Sequence, residues 1–279
     1  MAPLTRRRRR AALVLALLAV GALAPALTTA RPLNEVPVTR VSADRVEQYG
    51  RPTSDAWDEA VPVEVPLSSA PSSVPDADDT SVDRVTVRTA RTEETLFVRL
   101  SWADATADGN VSGSSPTPSV DSFGDAAAVQ VPVNTTARPG IAMGSSRQMV
   151  NVWYWNAYSG EEELLAGGPG TVTAFEDPTV ETAAAYEDGR WHVVFTRELR
   201  SARSQRTSFD MRNDVSVAFA VWNGSNMERS GRKSVSEWHH FPFAPEEGTA
   251  LYEALLWGVA GLAIVVVVVV TVTAVRRGE

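Results

Sequence analysis

Cysteine is absent from the 279 residues of this chain. That absence excludes disulfides, thiolate-bound iron–sulfur clusters, thiolate zinc sites and haem attached covalently through a CxxCH motif. Any cofactor must therefore be held by other side chains. Lysine is nearly absent as well, because 25 of the 26 basic residues are arginine and Lys233 is the one lysine. So strong a bias makes this single lysine conspicuous.

Local catalytic motifs are also missing. The chain has no GxSxG, P-loop, GxGxxG or HExxH pattern, which argues against hydrolase, nucleotide-binding and zinc-protease functions. The three histidines are His192, within a predicted strand, and the adjacent His239 and His240, whose side chains cannot share one strand face. A structural role is favoured for His192. The scattered acidic residues give no local signature of a glycosidase carboxylate pair.

The N-terminus has the composition of a secretory signal. Five arginines at 6–10 precede an apolar run at 11–23, and small residues follow at 28–30. The apolar run extends only about 20 Å as a helix, short of a ~30 Å hydrocarbon core, which favours a cleaved signal over an uncleaved anchor. Because the arginines include the pair that twin-arginine export needs, the export pathway stays open.

The C-terminal region has the properties of a membrane anchor. Residues 254–275 are an uncharged stretch of 22 residues, about 33 Å long as a helix and enough to span a bilayer. Arg276 and Arg277 follow directly, so the positive-inside rule puts the C-terminus in the cytoplasm of a single-pass protein of the cell membrane. The predicted organisation is a signal peptide at 1–30, an extracytoplasmic domain at 31–248, a transmembrane helix at 252–275 and a cytoplasmic tail at 276–279.

Acidic residues dominate the mature chain. Removing residues 1–30 takes away five arginines and leaves 21 basic against 34 acidic residues, a net charge of −13. Because a negative surface is repelled by phosphate, this balance argues against nucleic acid as a partner.

Short segments with period-two alternation, separated by turn-rich stretches, predict a mainly β domain. Every second residue from Leu96 to Trp102, and from Val215 to Val221, is apolar, which predicts half-buried strands. The Asp188-Gly189 pair predicts a hairpin with a type I′ turn. Many short strands with polar turns indicate a sandwich or a barrel. The predicted strands are 61–67, 84–90, 95–102, 126–133, 150–155, 191–196 and 215–222, and the predicted long loops are 68–83 and 103–119.

An ordered set of strings connects the chain to a known family. The set is DAWDEAVPVEVPL, FVRLSWADATAD, FGDAAAVQVPV, AMGSSRQMVNVWYWNA, WHVVFTREL and NGSNMERSGRKSVSEWHHF, spread over about residues 50–242. It resembles the haem-binding gamma subunit family of ethylbenzene dehydrogenase and dimethyl sulfide dehydrogenase. The resemblance implies a two-sheet β-sandwich with one non-covalent b-type haem. It also implies a non-catalytic subunit that relays electrons for a molybdopterin catalytic subunit through an iron–sulfur subunit. The predicted anchor would place such a complex near a quinone or cytochrome partner.

The resemblance further implies a methionine and a lysine as axial ligands of the haem iron. The family lysine falls in GRKSVSEWH and corresponds to Lys233. An amine binds iron only when burial and the metal overcome its ordinary pKa of about 10.4, whereas arginine stays protonated and has no free lone pair. The family methionine precedes glycine shortly before a V-N-[IV]-W strand, which favours Met143, and Met149 is the alternative.

Three tryptophans are candidates for packing on the porphyrin. They are Trp153, Trp155 and Trp238, and packing in the protein core fits them equally well. Two other functions stay open. One is a haem-free carbohydrate-binding sandwich with Trp153 and Trp155 as sugar platforms, and the other is a purely structural cell-surface protein. The sequence does not distinguish nitrate, dimethyl sulfoxide, selenate, chlorate or a hydrocarbon as the substrate of the partner enzyme.

The predicted topology is tested by protease treatment of intact cells. The domain at 31–248 should be digested from outside, while a tag placed after Arg277 should resist digestion until detergent opens the membrane. Immunoblots with and without detergent measure both. A tag that is exposed on intact cells would contradict the topology.

Overall fold

The computed structural model describes residues 34–109 and 123–243 and the single position 261. Within these residues 14 strands form two sheets. The first sheet contains β1 (Val38–Arg40), β2 (Val63–Pro66), β4 (Arg84–Arg91), β5 (Thr95–Ala103), β10 (Val180–Glu187) and β11 (Arg190–Glu198). The second contains β3 (Ser68–Ser69), β6 (Ala126–Pro132), β7 (Val150–Asn156), β8 (Gly160–Ala166), β9 (Thr173–Ala174), β12 (Val215–Trp222), β13 (Ser234–Val235) and β14 (His239–Phe241).

Pairing between the named strands is antiparallel, except that β1 runs parallel to β4. The first sheet has the order β1-β4-β5-β11-β10, with β2 also on β4, and the second has the order β3-β13-β12-β6-β7-β8-β9, with β14 also on β12. Apolar side chains of both sheets form one core, including alternate residues from Leu96 to Trp102 and from Val215 to Val221. The predicted mainly β fold is confirmed, and its two layers are arranged as in a β-sandwich.

All seven predicted strands are present, with ends that differ from the prediction by at most two residues. The predicted hairpin is present too, because β10 and β11 pair across Asp188 (φ 51°) and Gly189 (φ 73°), both in the left-handed region that a type I′ turn requires. Loop 68–83 contains only the two-residue strand β3, and loop 103–119 is described as far as residue 109.

The prediction of half-buried strands is wrong for the central strands, which are buried on both faces. Phe97 of β5 faces away from the core, yet it is covered by Tyr49 and Trp57. These two belong to the segment with a short helix α1 (Val46–Tyr49) and 3-10 turns at Ala43–Arg45 and Asp55–Glu59. Loops cover the outer face of the second sheet in the same way. Alternation showed which residues share a face but not what covers the other face.

Strand β8 was not predicted, because its sequence GEEELLA has three consecutive glutamates, which are depleted in strands. When β8 pairs with β7, Glu161 and Glu162 are exposed, whereas Glu163 is fully buried. Two buried arginines form ion pairs with Glu163. Arg206 Nε lies 3.0 Å from its Oε2, and Arg197 Nε lies 3.6 Å from its Oε1.

This charge cluster joins the two layers, since Glu163 lies on β8 and Arg197 on β11 of the other sheet. Thr179 donates to Glu163 Oε2 through its backbone N (2.8 Å) and its hydroxyl (3.0 Å). Arg197 also donates to the carbonyl of Thr207 at 2.8 Å. Burial lowers the pKa of Arg197 to about 10, which still leaves it protonated near neutral pH. A buried carboxylate is thus matched by buried cations.

The predicted signal peptide lies outside the described residues, and so does the predicted transmembrane helix apart from position 261. Within the described part, no helix is long and apolar enough to cross a membrane.

Substituting Glu163→Gln should destabilise the fold, because it leaves buried guanidinium groups without a carboxylate. The expected loss in the free energy of unfolding is about 3–5 kcal/mol, measured by denaturant titration. Glu162→Gln is the matched control on the exposed face of the same strand and should change stability by at most about 0.5 kcal/mol. Equal effects of the two substitutions would contradict a structural role for the cluster.

Candidate functional site

A cavity of about 940 Å³ lies on the outer face of the second sheet. Its floor is formed by β6, β7 and β12, and its walls are loops that include residues 70–74, 141–143, 169–170, 172, 228–231 and 233. Most of the lining is apolar. Small-molecule and cofactor sites measure about 300–1,000 Å³ and combine apolar walls with a few polar groups. This cavity therefore has the size and character of a cofactor site.

Four alanines form the centre of the floor. They are Ala126 and Ala128 of β6 and Ala218 and Ala220 of β12, all on the side of the sheet that faces away from the core. Ala128 is directly opposite Ala220. Alanine is depleted in strands, where larger side chains pack better. Here the small side chains keep space open above two central strands. The small residues are visible in the sequence as DAAAVQV and VAFAVW, but the alternation in these strings predicts strands and does not by itself indicate a cavity.

Met143 lies in the connection between β6 and β7 and lines the cavity. Its backbone is left-handed (φ 61°), as is that of Gly144 (φ 73°). Non-glycine residues seldom adopt this conformation, and such strain concentrates at ligand sites. The Met143 carbonyl accepts a bond from Gly168 N at 2.9 Å, which joins this loop to the loop after β8. A β-carbon at Gly144 would lie 2.4 Å from the carbonyl oxygen of Gln148.

Met149, the alternative methionine, does not line the cavity. It directly precedes β7, and its carbonyl accepts a bond from Val133 N at 3.0 Å. The structure therefore brings Met143, and not Met149, to the cavity.

Lys233 lines the same cavity from the loop between β12 and β13. Its Nζ donates to the carbonyl of Ser230 at 3.0 Å and lies 5.2 Å from the centre of the Trp222 ring. The Trp222 indole N–H also donates to the Ser230 carbonyl, at 3.3 Å. Burial lowers the pKa of Lys233 below its ordinary value. Burial thus makes the ammonium form of Lys233 easier to deprotonate than that of an exposed lysine.

The loop that carries Lys233 is fixed to the loop at residues 79–81. The buried Glu228 accepts bonds from Ser81 N (2.8 Å), the Ser81 hydroxyl (3.0 Å) and Asn223 N (3.1 Å). Arg232 Nη2 lies 2.6 Å from Asp79 Oδ2. Together these contacts fix the Lys233 wall of the cavity to a neighbouring loop that lies outside the lining.

The predicted tryptophans divide into two groups. Trp153 and Trp155 lie in the core between the sheets, on the face of β7 opposite the cavity, where Trp153 packs on Phe209 and Trp155 packs on Trp191. They do not line the cavity. Trp238 belongs to the same apolar cluster as Met143, and its indole N–H donates to the carbonyl of Pro139 at 3.0 Å. It supports the Met143 loop from outside the lining.

His192 is remote from the cavity, on the outer face of the first sheet. Its Nδ1 lies 2.9 Å from Arg99 Nη2 and 2.8 Å from the Ser101 hydroxyl. Burial, followed by the charge of Arg99, lowers the pKa of His192 to about 4. The ring is neutral at physiological pH, as a structural acceptor would be.

Two packed sheets with a loop-walled cavity on the outer face of one of them define a β-sandwich with a candidate binding cavity. The chain belongs to the ethylbenzene dehydrogenase family, whose family model matches residues 54–176 and 172–234. The family predicted from the sequence strings is thereby confirmed.

Three curated relatives carry names that describe redox complexes. A protein of Haloferax mediterranei assigned as a respiratory nitrate reductase heme subunit is 60% identical over 95% of this chain and 92% of its own length. The chlorate reductase subunit gamma of Ideonella dechloratans is 32% identical over 69% of this chain and 79% of its own. The dimethylsulfide dehydrogenase subunit gamma of Rhodovulum sulfidophilum is 33% identical over 59% of this chain and 62% of its own.

Among solved structures, a Bacteroides uniformis protein described as carbohydrate-binding covers 74% of this chain and 90% of its own, with 11% identity and a TM-score of 0.42. A likeness at this level carries no argument about function.

Substituting Gly144→Ala should disturb the Met143 loop, because alanine would be strained at φ 73° and its β-carbon would meet the Gln148 carbonyl. We expect a loss of at least about 1 kcal/mol in the free energy of unfolding. Gly140→Ala is the control in the same loop, where an added β-carbon meets nothing within 4 Å. Thermal unfolding of both variants measures the difference, and a Gly144→Ala variant as stable as the control would contradict the strained geometry.

Proposed function

We propose that this chain is the membrane-anchored electron-transfer subunit of an extracytoplasmic molybdopterin oxidoreductase, and that its cavity binds one b-type haem. The observation that carries the proposal is that two side chains of the kinds that can bind haem iron line one cavity. Met143 and Lys233, from different loops, line the same apolar space. A thioether and an amine are both able to bind haem iron, and their pairing is the one that the family resemblance implies.

The residues of the cavity fit a haem. Its volume and mostly apolar lining suit a large, flat, apolar ring, and the four-alanine floor leaves space for that ring. The sequence has no cysteine, so covalent attachment through thioether bonds is excluded. When bound, a haem supplies a one-electron couple whose potential a thioether ligand and apolar surroundings raise.

Lys233 contributes an amine whose surroundings favour loss of its proton. Burial lowers its pKa, and the Ser230 carbonyl and the Trp222 ring restrict the position of Nζ. A bound metal would lower that pKa further. Arginine, the other basic residue of this chain, cannot substitute, since its guanidinium stays protonated.

Met143 is the proposed second ligand, and its left-handed backbone supports the assignment. A left-handed backbone costs free energy at a non-glycine residue, and such strained conformations cluster at ligand sites. Gly144 and the bond from Gly168 keep it there. Met149 does not reach the lining and is not proposed as a ligand.

The partners follow from the relatives, which are named as heme or gamma subunits of nitrate reductase, chlorate reductase and dimethylsulfide dehydrogenase. We propose a molybdopterin catalytic subunit and an iron–sulfur subunit as partners, with this chain as a non-catalytic relay. The predicted helix at 252–275 would hold the relay at the outer face of the membrane, close to a quinone or a cytochrome. The sugar-binding alternative required Trp153 and Trp155 as an open platform, and both are buried in the core.

Substituting Lys233→Arg tests the lysine ligand. The full-length chain loaded with haem should lose its six-coordinate low-spin spectrum, or the haem itself, because guanidinium offers no lone pair. Arg84→Lys, at an exposed arginine of β4 in the first sheet and outside the lining, preserves charge and should leave the spectrum unchanged. A Lys233→Arg variant with an unchanged low-spin spectrum and redox potential would eliminate lysine as a ligand.

The paired substitutions Met143→Ala and Met149→Ala test the methionine ligand. The first should change the visible spectrum and lower the redox potential of the haem, and the second should leave the axial ligation intact.

A further inference from the structure

Two basic side chains line the cavity, and the proposed ligand Lys233 is one of them. The other is Arg229, four residues earlier in the same loop. Its guanidinium carbon lies 4.3 Å from the centre of the Phe123 ring, and Phe123 also lines the cavity. A guanidinium stacked on an aromatic face is restricted in position while its N–H groups remain free to donate at the edge.

The position of Arg229 in the cavity follows from the strand register. Phe123 lies just before β6, and the loop that carries Arg229 follows Trp222, the last residue of β12. Trp222 is paired with Ala126, the first residue of β6. Arg229 therefore marks the end of the cavity where β6 begins and β12 ends. Within the described residues Arg229 is exposed, so this end of the cavity reaches the surface of the described part of the protein.

No carboxylate within the described residues forms an ion pair with Arg229. The adjacent Glu228 is directed to Ser81 and Asn223. Glu162 also lines the cavity, but it lies on β8, three strands from β12 in the sheet order. The charge of Arg229 is thus left available to a ligand of the cavity.

A b-type haem has one edge that differs from the others, because it carries two propionate carboxylates. Carboxylates pair well with the fork of a guanidinium, and they remain at the wet edge of an apolar site. We propose that Arg229, held on Phe123, binds the haem propionates and so sets which edge of the haem faces the open end of the cavity. This inference rests on the proposed haem-binding function and assigns a carboxylate subsite to it.

The test compares haem with haem dimethyl ester, in which both propionates are neutral esters. Each is titrated into the full-length chain, and the affinity ratio of haem to ester is measured by visible absorption. Arg229→Ala should reduce that ratio about fivefold, the size expected of a solvent-exposed ion pair. Arg229→Lys should retain part of the ratio. Arg147→Ala, an exposed arginine outside the lining, is the control and should leave it unchanged.

The outcomes separate this inference from the proposed function. A selective loss of haem affinity in Arg229→Ala, with ester affinity unchanged, supports the propionate subsite. If Arg229→Ala weakens haem and ester by the same factor, or weakens neither, the subsite is wrong although haem binding stands. If the unsubstituted chain binds neither compound, the proposed function itself fails.

Discussion

The alternation of side chains along β6 and β12 is the constraint on which the rest of the structure depends. On β12, Val217, Phe219 and Val221 fill the core. Ala218 and Ala220, which alternate with them, have small side chains that leave space open on the outer face. Because the side-chain period of a strand is two, a slip of one residue would exchange these sets. Phenylalanine and valine would then fill the cavity, and alanine would leave the core underpacked. Two hydrogen bonds help to fix the position of β12 against the segment after β13. Phe219 N donates to the Ser236 hydroxyl and Ser236 N donates to the Phe219 carbonyl, each at 2.9 Å.

Buried charges and a strained backbone turn hold the two cavity loops that carry Lys233 and Met143. Glu228 and the Arg232–Asp79 pair connect the Lys233 loop to residues 79–81, and the left-handed Met143-Gly144 turn positions the other proposed ligand. Both features cost free energy, since a buried carboxylate needs its donors and a non-glycine residue is strained at positive φ. These contacts hold Met143 and Lys233 in place within the protein itself. Such preorganisation suits the proposed relay, because a small structural change during electron transfer keeps the reorganisation energy low.

Strands were predictable from the sequence where apolar residues alternate regularly along the segment. The Asp188-Gly189 turn and the alternation in β5 and β12 needed only local rules. Strand β8 was missed because the stability of Glu163 in the core depends on Arg197 and Arg206, which are distant in sequence. Trp153 and Trp155 were candidates for the cavity because alternation groups them on one face without showing which layer that face meets. The family resemblance supplied Lys233 and Met143 as candidates, whereas Arg229 and the alanine floor became visible only when the strands were paired.

The central claim is that this cavity binds one haem between a thioether and an amine. Its most direct test is the visible absorption spectrum of the purified full-length chain, read together with the haem content per chain. We expect one non-covalently bound haem per chain, extractable by acidified organic solvent, with the Soret and visible bands of a six-coordinate low-spin iron. A folded chain that shows no Soret band, even after incubation with haem, would contradict it.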